Sequence, residues 1–143
     1  MKTVAEILAR KKPPHNMLEA DTRVIDALSL MKTIDHNYII VLKDGRYAGI
    51  FTERDYAQKV ILMGKGDHAT KLEDIMSSNL PTVSSEDTVE NCMMLMNAHK
   101  TRYLPVFNDF NFVDVITMND LIRISMNNKE HEELVGYSSE KIF

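Results

Sequence analysis

Cysteine and tryptophan are nearly absent from this sequence. Its 143 residues include one cysteine, Cys92, and no tryptophan. A single cysteine cannot form a disulfide within the chain, and it cannot supply a multi-cysteine metal cluster or a redox pair. Cys92 aligns with Ala27 in the repeat described below, which indicates a small, buried side chain.

Long apolar runs and a strong charge imbalance are also missing. No segment approaches the ~20 apolar residues of a membrane-spanning helix, and Glu6 and the run Arg10–Lys12 interrupt the N-terminal segment, so no export signal is predicted. Arg10–Lys12 has two interpretations, contact with a phosphate or an acidic partner and a solvated surface run, and we favour the solvated run. A formal net charge of -4 offers no electrostatic case for binding nucleic acid. We therefore expect a cytoplasmic protein that binds neither nucleic acid nor a membrane.

Signatures of catalysis and metal binding are lacking too. The five histidines are dispersed, and none has the spacing of a His-x-x-x-His or His-Glu-x-x-His zinc site. The sequence has no Gly-x-Ser-x-Gly, Walker loop or Gly-x-Gly-x-x-Gly. The densest set of donors is His131 with its neighbouring glutamates, a pattern typical of a solvated helix. We predict no enzyme activity, no metal and no required cofactor.

The sequence does contain an internal duplication. Residues 49–55, Gly-Ile-Phe-Thr-Glu-Arg-Asp, correspond to residues 114–120, Asp-Val-Ile-Thr-Met-Asn-Asp, 65 positions later. Without a gap, the same offset aligns Val24 with Val89, Leu30 with Leu95, Met31 with Met96, Tyr38 with Tyr103, Val41 with Val106 and Asp44 with Asp109. Two half-length repeats in a chain of this size are expected to pack as one body.

Each repeat is predicted to be a β-α-β-β-α unit. Helical spacing of apolar residues predicts the helices, and paired apolar runs around Lys43-Asp44-Gly45 predict a hairpin. The elements of the first repeat are a helix over 3–10 capped by Thr3, an extended piece at Met17-Leu18, a helix from Asp21 or Thr22 to Ile34, strands over 38–42 and 47–51, and a helix over 52–63. Those of the second are a helix over 72–76, an extended piece at Thr82-Val83, a helix from Asp87 or Thr88 to His99, strands over 103–107 and 112–117, and a helix over 118–125.

The predicted domain boundaries follow the repeat. We assign residues 1–64 to the first repeat with its N-terminal helix, 65–71 to a linker, 72–126 to the second repeat, and 127–143 to a polar C-terminal tail. The two repeats together are expected to form one module.

The repeated Thr-x-x-Asp pattern, Thr52 to Asp55 and Thr117 to Asp120, has two interpretations. As a helix cap, the hydroxyl accepts from a first-turn N–H and the carboxylate complements the positive end of the helix. As part of a binding site, a strand that leads into a helix presents backbone donors and a carboxylate at a crevice suited to sugar hydroxyls and phosphate. The spacing leaves both interpretations open.

Residues 4–126 resemble a tandem pair of CBS (cystathionine beta-synthase-type) domains. The matching stretches are Gly-Ile-Phe-Thr-Glu-Arg-Asp-Tyr at 49–56, Val-Ser-Ser-Glu-Asp-Thr-Val at 83–89 and Arg-Tyr-Leu-Pro-Val at 102–106. The resemblance implies an α/β fold whose two repeats pack sheet to sheet around a pseudo-twofold axis and leave two clefts. It also implies a regulatory sensor of adenosine-containing ligands, AMP above ADP, ATP, NAD(H) or S-adenosylmethionine. The sensor is expected to be a homodimer that relays occupancy to a separate, unidentified protein.

The same resemblance implies the ligand-binding residues. Asp55 and Asp120 would bind the ribose hydroxyls, with Thr52 and Thr117 beside them. Adenine would contact the backbone of Met17, Leu18, Thr82 and Val83 and the apolar residues Ile39, Ile40 and Pro105. Arg102 would bind the phosphate, with Arg54 and Lys59 as secondary candidates, for which a solvated helix face is the alternative.

The second repeat departs from the first at two positions. Asp114 stands where the first repeat has Gly49, and Phe110 stands where it has Gly45. An aspartate at the position of Asp114 also occurs in repeats resembling the gamma subunit of AMP-activated protein kinase. The aromatic residues around this hairpin are expected to pack against each other or to cover the cleft; they are Phe107, Phe110 and Phe112.

The alternative function is a protein-interaction or dimerisation module without a ligand. In that case the Thr-x-x-Asp patterns are helix caps only, and the clefts are empty.

Overall fold

The structure is a computed structural model that describes residues 2–126, and it shows the mixed α/β fold predicted from the sequence. The helices are α1 (Val4–Arg10), α2 (Val24–Ile34), α3 (Glu53–Asp55, continued by a π-helix over Tyr56–Ile61), α4 (Leu72–Ile75), α5 (Val89–His99) and α6 (Met118–Ser125). The strands are β1 (Met17–Glu19), β2 (Tyr38–Lys43), β3 (Arg46–Thr52), β4 (Tyr103–Asn108) and β5 (Asn111–Thr117). The predicted tail, 127–143, lies outside the described residues.

The segment Pro14–Asn79 forms one compact unit around a three-stranded sheet, and we call it the first-repeat unit. β1 is parallel to β2, which is antiparallel to β3. The predicted hairpin is confirmed: Asp44 and Gly45 have φ angles of 52° and 78°, the left-handed conformation of a tight two-residue turn. One sheet face and α2 enclose the core, whose buried members are Ala20, Val24, Ala27, Met31, Ile39, Val41, Phe51, Val60, Leu72 and Ile75.

The other compact unit, which we call the second-repeat unit, joins the N-terminal segment, up to Pro13, with the chain from Leu80 onward. β4 and β5 form an antiparallel hairpin. Val83 makes a parallel bridge with Val106 in β4, in the same way that β1 pairs in parallel with β2 in the first-repeat unit. Phe107 and Phe112 pack edge to face across this hairpin, 5.6 Å between ring centroids, while Phe110 is exposed at its tip. The core contains Val4, Ile7, Val83, Val89, Cys92, Met93, Met96, Leu104, Val106, Ile116, Met118, Leu121 and Ile124.

The short helices α1 and α4 are exchanged between the sequence repeats. α1 precedes the first repeat but packs in the unit of the second, where Val4 N donates to the Asp87 carbonyl at 2.9 Å. α4 opens the second repeat but packs in the unit of the first, where Leu72 N donates to the Thr22 carbonyl at 2.9 Å. The compact units are therefore offset from the repeats assigned by sequence.

This exchange explains why the predicted cap of α2 is wrong. Neither Asp21 nor Thr22 caps the helix; Arg23 occupies the N-cap position and its side chain makes no capping bond. The amide of Val24 instead donates to the Thr70 carbonyl at 2.9 Å. A backbone acceptor from a distant segment thus satisfies a donor that a side chain would otherwise serve.

The start of α1 is arranged in the same way. Thr3 is at the predicted N-cap, but its side chain makes no capping bond, and Ala5 N donates to the Ser85 carbonyl at 2.9 Å. At α5, by contrast, the predicted cap Thr88 is confirmed, since its hydroxyl accepts from Asn91 N at 3.0 Å.

The helix after β3 differs from the single regular helix predicted over residues 52–63. It is α-helical only over Glu53–Asp55, continues as a π-helix over Tyr56–Ile61, and ends there. The wider turn is visible in the bond from Leu62 N to the Ala57 carbonyl, 3.0 Å. In this turn Lys59 Nζ donates to the carbonyl of Ile75 at 3.1 Å, a contact with α4 that local sequence does not encode.

Candidate functional site

Both Thr-x-x-Asp motifs form complete capping boxes, so the capping interpretation is confirmed. Thr52 Oγ1 accepts from Asp55 N at 3.1 Å, and Asp55 Oδ2 accepts from Thr52 N at 2.9 Å. Thr117 and Asp120 make the same two bonds at 3.1 and 2.9 Å. Each motif places a buried carboxylate where a strand enters a helix.

The Asp55 carboxylate is held by four donors of its own unit. Oδ2 accepts from Thr52 N at 2.9 Å and from Thr52 Oγ1 at 3.0 Å. Oδ1 accepts from Ser77 Oγ at 2.8 Å and pairs with Lys59 Nζ at 2.9 Å. Both oxygens are therefore engaged in short bonds, and the charge is neutralised by a lysine.

The Asp120 carboxylate is held less completely. Oδ2 accepts from Thr117 N and from Lys11 Nζ, each at 2.9 Å. Oδ1 lies 3.5 Å from Arg123 Nη1, which is longer than a well-formed N–H···O bond. One oxygen of Asp120 is thus firmly bound, and within residues 2–126 the other has a single long contact, with an exposed arginine.

Lys11 and Asp114 complete the polar groups around Asp120. Lys11 Nζ donates to the Val115 carbonyl at 2.8 Å, and Asp114 Oδ1 accepts from Val115 N at 2.7 Å. Asp114 is buried, and the side chain of Lys11 is 18% exposed. The interpretation of Arg10–Lys12 as a solvated run is therefore wrong for Lys11, because buried carboxylates need a nearby counter-charge.

Sequence reasoning missed Lys11, Ser77 and Arg123 as members of these two sites. The unexpected charge of Asp114 in an apolar strand was the one local signal, since a buried aspartate predicts a cationic partner. Nothing local identifies that partner as Lys11, which lies more than a hundred residues away along the chain.

Raising the pH from about 4 to about 7 should lower the free energy of unfolding of the wild type relative to Asp114→Asn. Burial raises the pKa of the Asp114 carboxyl; Lys11 and the Val115 N–H oppose this effect and Asp120 adds to it. Because the folded pKa exceeds the unfolded one, the folded state holds the proton more tightly, so stability is lost as the carboxyl ionises. Urea unfolding of both proteins across this range measures the difference, and a difference that stays constant or grows contradicts the expectation.

The residues implied for adenine divide between the units. In the first-repeat unit, Met17 and Leu18 lie opposite Ile40 and Val41 in β2, and Ile39 is part of the hydrophobic core. Both Ile39 and Ile40 are fully buried.

In the second-repeat unit, Val83 is fully engaged with β4. Its N–H donates to the Pro105 carbonyl at 3.0 Å, and its carbonyl accepts from Phe107 N at 2.9 Å. A ligand could therefore use the backbone of Thr82 more readily than that of Val83.

The basic residues implied for phosphate lie at different distances from the carboxylates. The Arg102 carbonyl accepts from Met118 N at 3.0 Å, so this residue adjoins the start of α6, and its side chain is exposed. Lys59 is paired with Asp55, and Arg54 is exposed on α3. The unit of the second repeat thus brings Arg102, Thr117 and Asp120 together and adds Lys11.

The CBS domain family matches residues 4–61 and again residues 72–127. The chain belongs to the CBS domain family. The two matches reproduce the duplication seen in the sequence, and they make the chain a CBS pair.

Two curated relatives and a solved structure are similar to this CBS pair. The mitochondrial CBS domain-containing protein CBSX3 of Arabidopsis thaliana is 35% identical over 118 residues, 79% of this chain and 56% of that protein. A protein of Methanocaldococcus jannaschii is 30% identical over 122 residues, 83% of this chain and 64% of that protein. The chain therefore spans less than two thirds of either relative. The structure of a protein with CBS domains from Burkholderia ambifaria covers 90% of this chain and 96% of its own, with 32% identity and a TM-score of 0.84.

Two further CBS structures contain adenosine compounds. CBSX2 in complex with AMP is 23% identical, with a TM-score of 0.68, and covers 89% of this chain and 98% of its own. The CBS pair of MJ0100, in complex with 5′-methylthioadenosine and S-adenosyl-L-methionine, is 24% identical, with a TM-score of 0.77, and covers 90% of this chain and 99% of its own. At these identities the likeness to our CBS pair shows the fold alone.

Within residues 2–126, no helix of the CBS pair is long and apolar enough to cross a membrane. Over the same residues, no group of three or more histidine, cysteine, aspartate or glutamate side chains is placed to hold a metal ion. His131 and its glutamates lie outside the described residues.

Proposed function

We propose that this CBS pair senses an adenosine-containing nucleotide, AMP foremost, around Thr117 and Asp120 at the end of β5. CBS pairs are regulatory modules. The observation that carries the proposal is the Asp120 carboxylate, which is buried at a capped strand-to-helix junction and whose Oδ1 has a 3.5 Å contact with Arg123 Nη1. That oxygen can exchange a long contact for one hydroxyl donor of a ribose, and the second hydroxyl then competes with Lys11 at Oδ2.

The comparison of the two carboxylates supports this site over the one at Asp55. A ribose that binds Asp55 must displace short bonds from Ser77 and Lys59, at 2.8 and 2.9 Å. Exchanging short bonds that are already formed for bonds to a ligand gains little net free energy. A ribose that binds Asp120 displaces only the long Arg123 contact at Oδ1 and shares Oδ2 with the Lys11 ammonium at 2.9 Å, while the cap bond to Oδ2 remains in place.

The basic residues around Asp120 favour a ligand with few phosphates. Arg102 adjoins the start of α6 and Arg123 lies one turn into it, so both can approach a phosphate beside the ribose. A pair of cations suits the charge of AMP or NAD(H) better than that of ATP. ADP, ATP and S-adenosylmethionine remain the alternative ligands, and the complexes of CBSX2 and MJ0100 support the adenosine class.

A thermal-shift panel on protein stripped of co-purified ligand tests the proposal. We expect AMP at about 100 times its dissociation constant to stabilise the protein by roughly 2.7 kcal/mol and to raise the unfolding midpoint by several degrees. ADP, ATP, NAD+, NADH, S-adenosylmethionine and adenosine are the comparison compounds. If none of them shifts the midpoint, the sensor function is wrong.

The alternative, an interaction module without a ligand, has one observation in its favour. The consecutive residues Ile61, Leu62 and Met63 at the end of the π-helix are 59%, 77% and 67% exposed, and clustered exposed apolar side chains mark interfaces. In the sensor proposal the same surface serves homodimer formation or the regulated protein. Light scattering of wild type and Leu62→Glu distinguishes a dimer from a monomer without reference to nucleotide.

A further inference from the structure

We propose that Lys11 makes the Asp120 site select phosphorylated adenosine compounds over neutral ones, by moving from Asp120 to the ligand phosphate. This inference rests on the proposed function and assigns the specificity of that site. Lys11 comes from the segment after α1, which packs with the second repeat, so neither repeat contains the complete site in its own sequence.

A comparison of equivalent strand positions shows how Lys11 enters the site. In the first-repeat unit, Ile50 N donates to the Ser77 carbonyl at 2.9 Å, and the Ile50 carbonyl accepts from Ser77 N at 2.8 Å. Val115, the equivalent of Ile50, has side-chain partners instead, because Asp114 accepts from its N–H and Lys11 donates to its carbonyl. The backbone partner that Ser77 provides in one unit is thus replaced in the other by the side chains of Asp114 and Lys11.

The glycine-to-aspartate difference between the repeats follows from this replacement. A Cβ on Gly49 would lie 2.8 Å from the Ser77 carbonyl oxygen, so the passing segment leaves no room for a side chain there. At the equivalent position Asp114 carries a buried carboxylate that interacts with Lys11. The second-repeat unit therefore has a lysine side chain where the first has the backbone of Ser77.

The bonds of Lys11 determine which ligand the site accepts. Its ammonium pairs with Asp120 Oδ2 at 2.9 Å and is 18% exposed, whereas Asp120 is 5% exposed. A ribose diol that binds the carboxylate competes with this ammonium, and a neutral nucleoside offers no charge in exchange. A phosphate group offers that charge. The four-carbon stem of lysine lets the ammonium turn from Asp120 toward the phosphate while it stays near Asp114 and the Val115 carbonyl.

Calorimetric titration of the full chain with AMP and with adenosine tests the assignment. We expect wild type to prefer AMP, and Lys11→Gln to reduce the ratio of the two affinities by about tenfold, since a charge-assisted contact is lost. The two ligands should respond differently: AMP should bind more weakly, while adenosine should bind at least as well as before because its competitor at Asp120 is gone. A merely structural role of Lys11 would weaken both.

Three variants serve as controls. Lys12→Gln makes the same change in net charge at an exposed neighbour and should leave the ratio at the wild-type value. Lys11→Arg retains the charge and should keep most of the preference. If Lys11→Gln does not fold, Lys11→Gln/Asp114→Asn also removes the carboxylate of the buried neighbour Asp114 and should show the same loss of preference.

The outcomes separate the two proposals. An unchanged ratio in Lys11→Gln, or an equal change in Lys12→Gln, overturns the role of Lys11 and leaves the nucleotide sensor intact. A wild type that binds neither AMP nor adenosine overturns the sensor and the role of Lys11 together.

Discussion

Replacing Asp120 with alanine should lower the affinity for AMP by about 100-fold, because two hydroxyl bonds to a buried carboxylate are lost together. The variant should remain folded. Loss of the capping bond between Asp120 and Thr117 N costs about 1 kcal/mol. Calorimetric titration with AMP measures the affinity, and thermal unfolding without ligand confirms that the variant is folded.

Asp55→Ala is the matched control for this experiment. It removes the same capping box in the other unit and breaks the pair with Lys59, as Asp120→Ala breaks the pair with Lys11, so the two variants should lose similar stability. Its effect on AMP affinity should be small. Wild-type affinity in Asp120→Ala contradicts the proposed site, and loss of binding in Asp55→Ala alone would place the ribose in the first-repeat unit.

Gly49→Ala should reduce the free energy of unfolding by about 2 to 4 kcal/mol, through overpacking and lost backbone bonds. The added Cβ would lie 2.8 Å from the Ser77 carbonyl oxygen and 3.0 Å from Met76 Sδ. The methionine side chain can move, but the carbonyl belongs to the segment that bridges Ile50. Relieving the clash therefore means weakening both backbone bonds between Ser77 and Ile50.

Gly66→Ala is the matched control, because a Cβ at Gly66 meets nothing within 4 Å. We expect its stability to stay within about 0.5 kcal/mol of wild type. Urea unfolding of the two variants provides the comparison. Equal stability of Gly49→Ala and Gly66→Ala would show that the Ser77 segment moves aside without cost.

The local elements were predictable because their causes lie within a few residues. Asp44-Gly45 specifies a hairpin turn between two apolar runs, and the structure shows that turn. The bounds predicted for α6, 118–125, are confirmed, since Thr117 and Asp120 cap the helix from within its own first turn. The duplication itself was evident from the 65-residue offset and agrees with the two family matches.

The groups that surround each carboxylate were not predictable from local sequence. Lys11 reaches Asp120 because α1 packs beside β5 and α6, and Ser77 reaches Asp55 because the chain after α4 pairs with β3. Both contacts join residues far apart in the chain. The π-helix that carries Lys59 gave no signal in the apolar spacing, which reads equally well as a regular helix.

Sequence alone therefore determined the repeated unit, its hairpins and the two capped aspartates, because each depends on hydrogen bonds and apolar spacing between near neighbours. Tertiary structure decided which groups surround each aspartate. Asp55 and Asp120 have the same local motif but different partners. Asp55 is bonded to Ser77 and Lys59, whereas Asp120 is paired with Lys11 and has a long contact with Arg123. The difference arises from segments exchanged between the repeats, whose packing depends on the fold of the chain rather than on either motif.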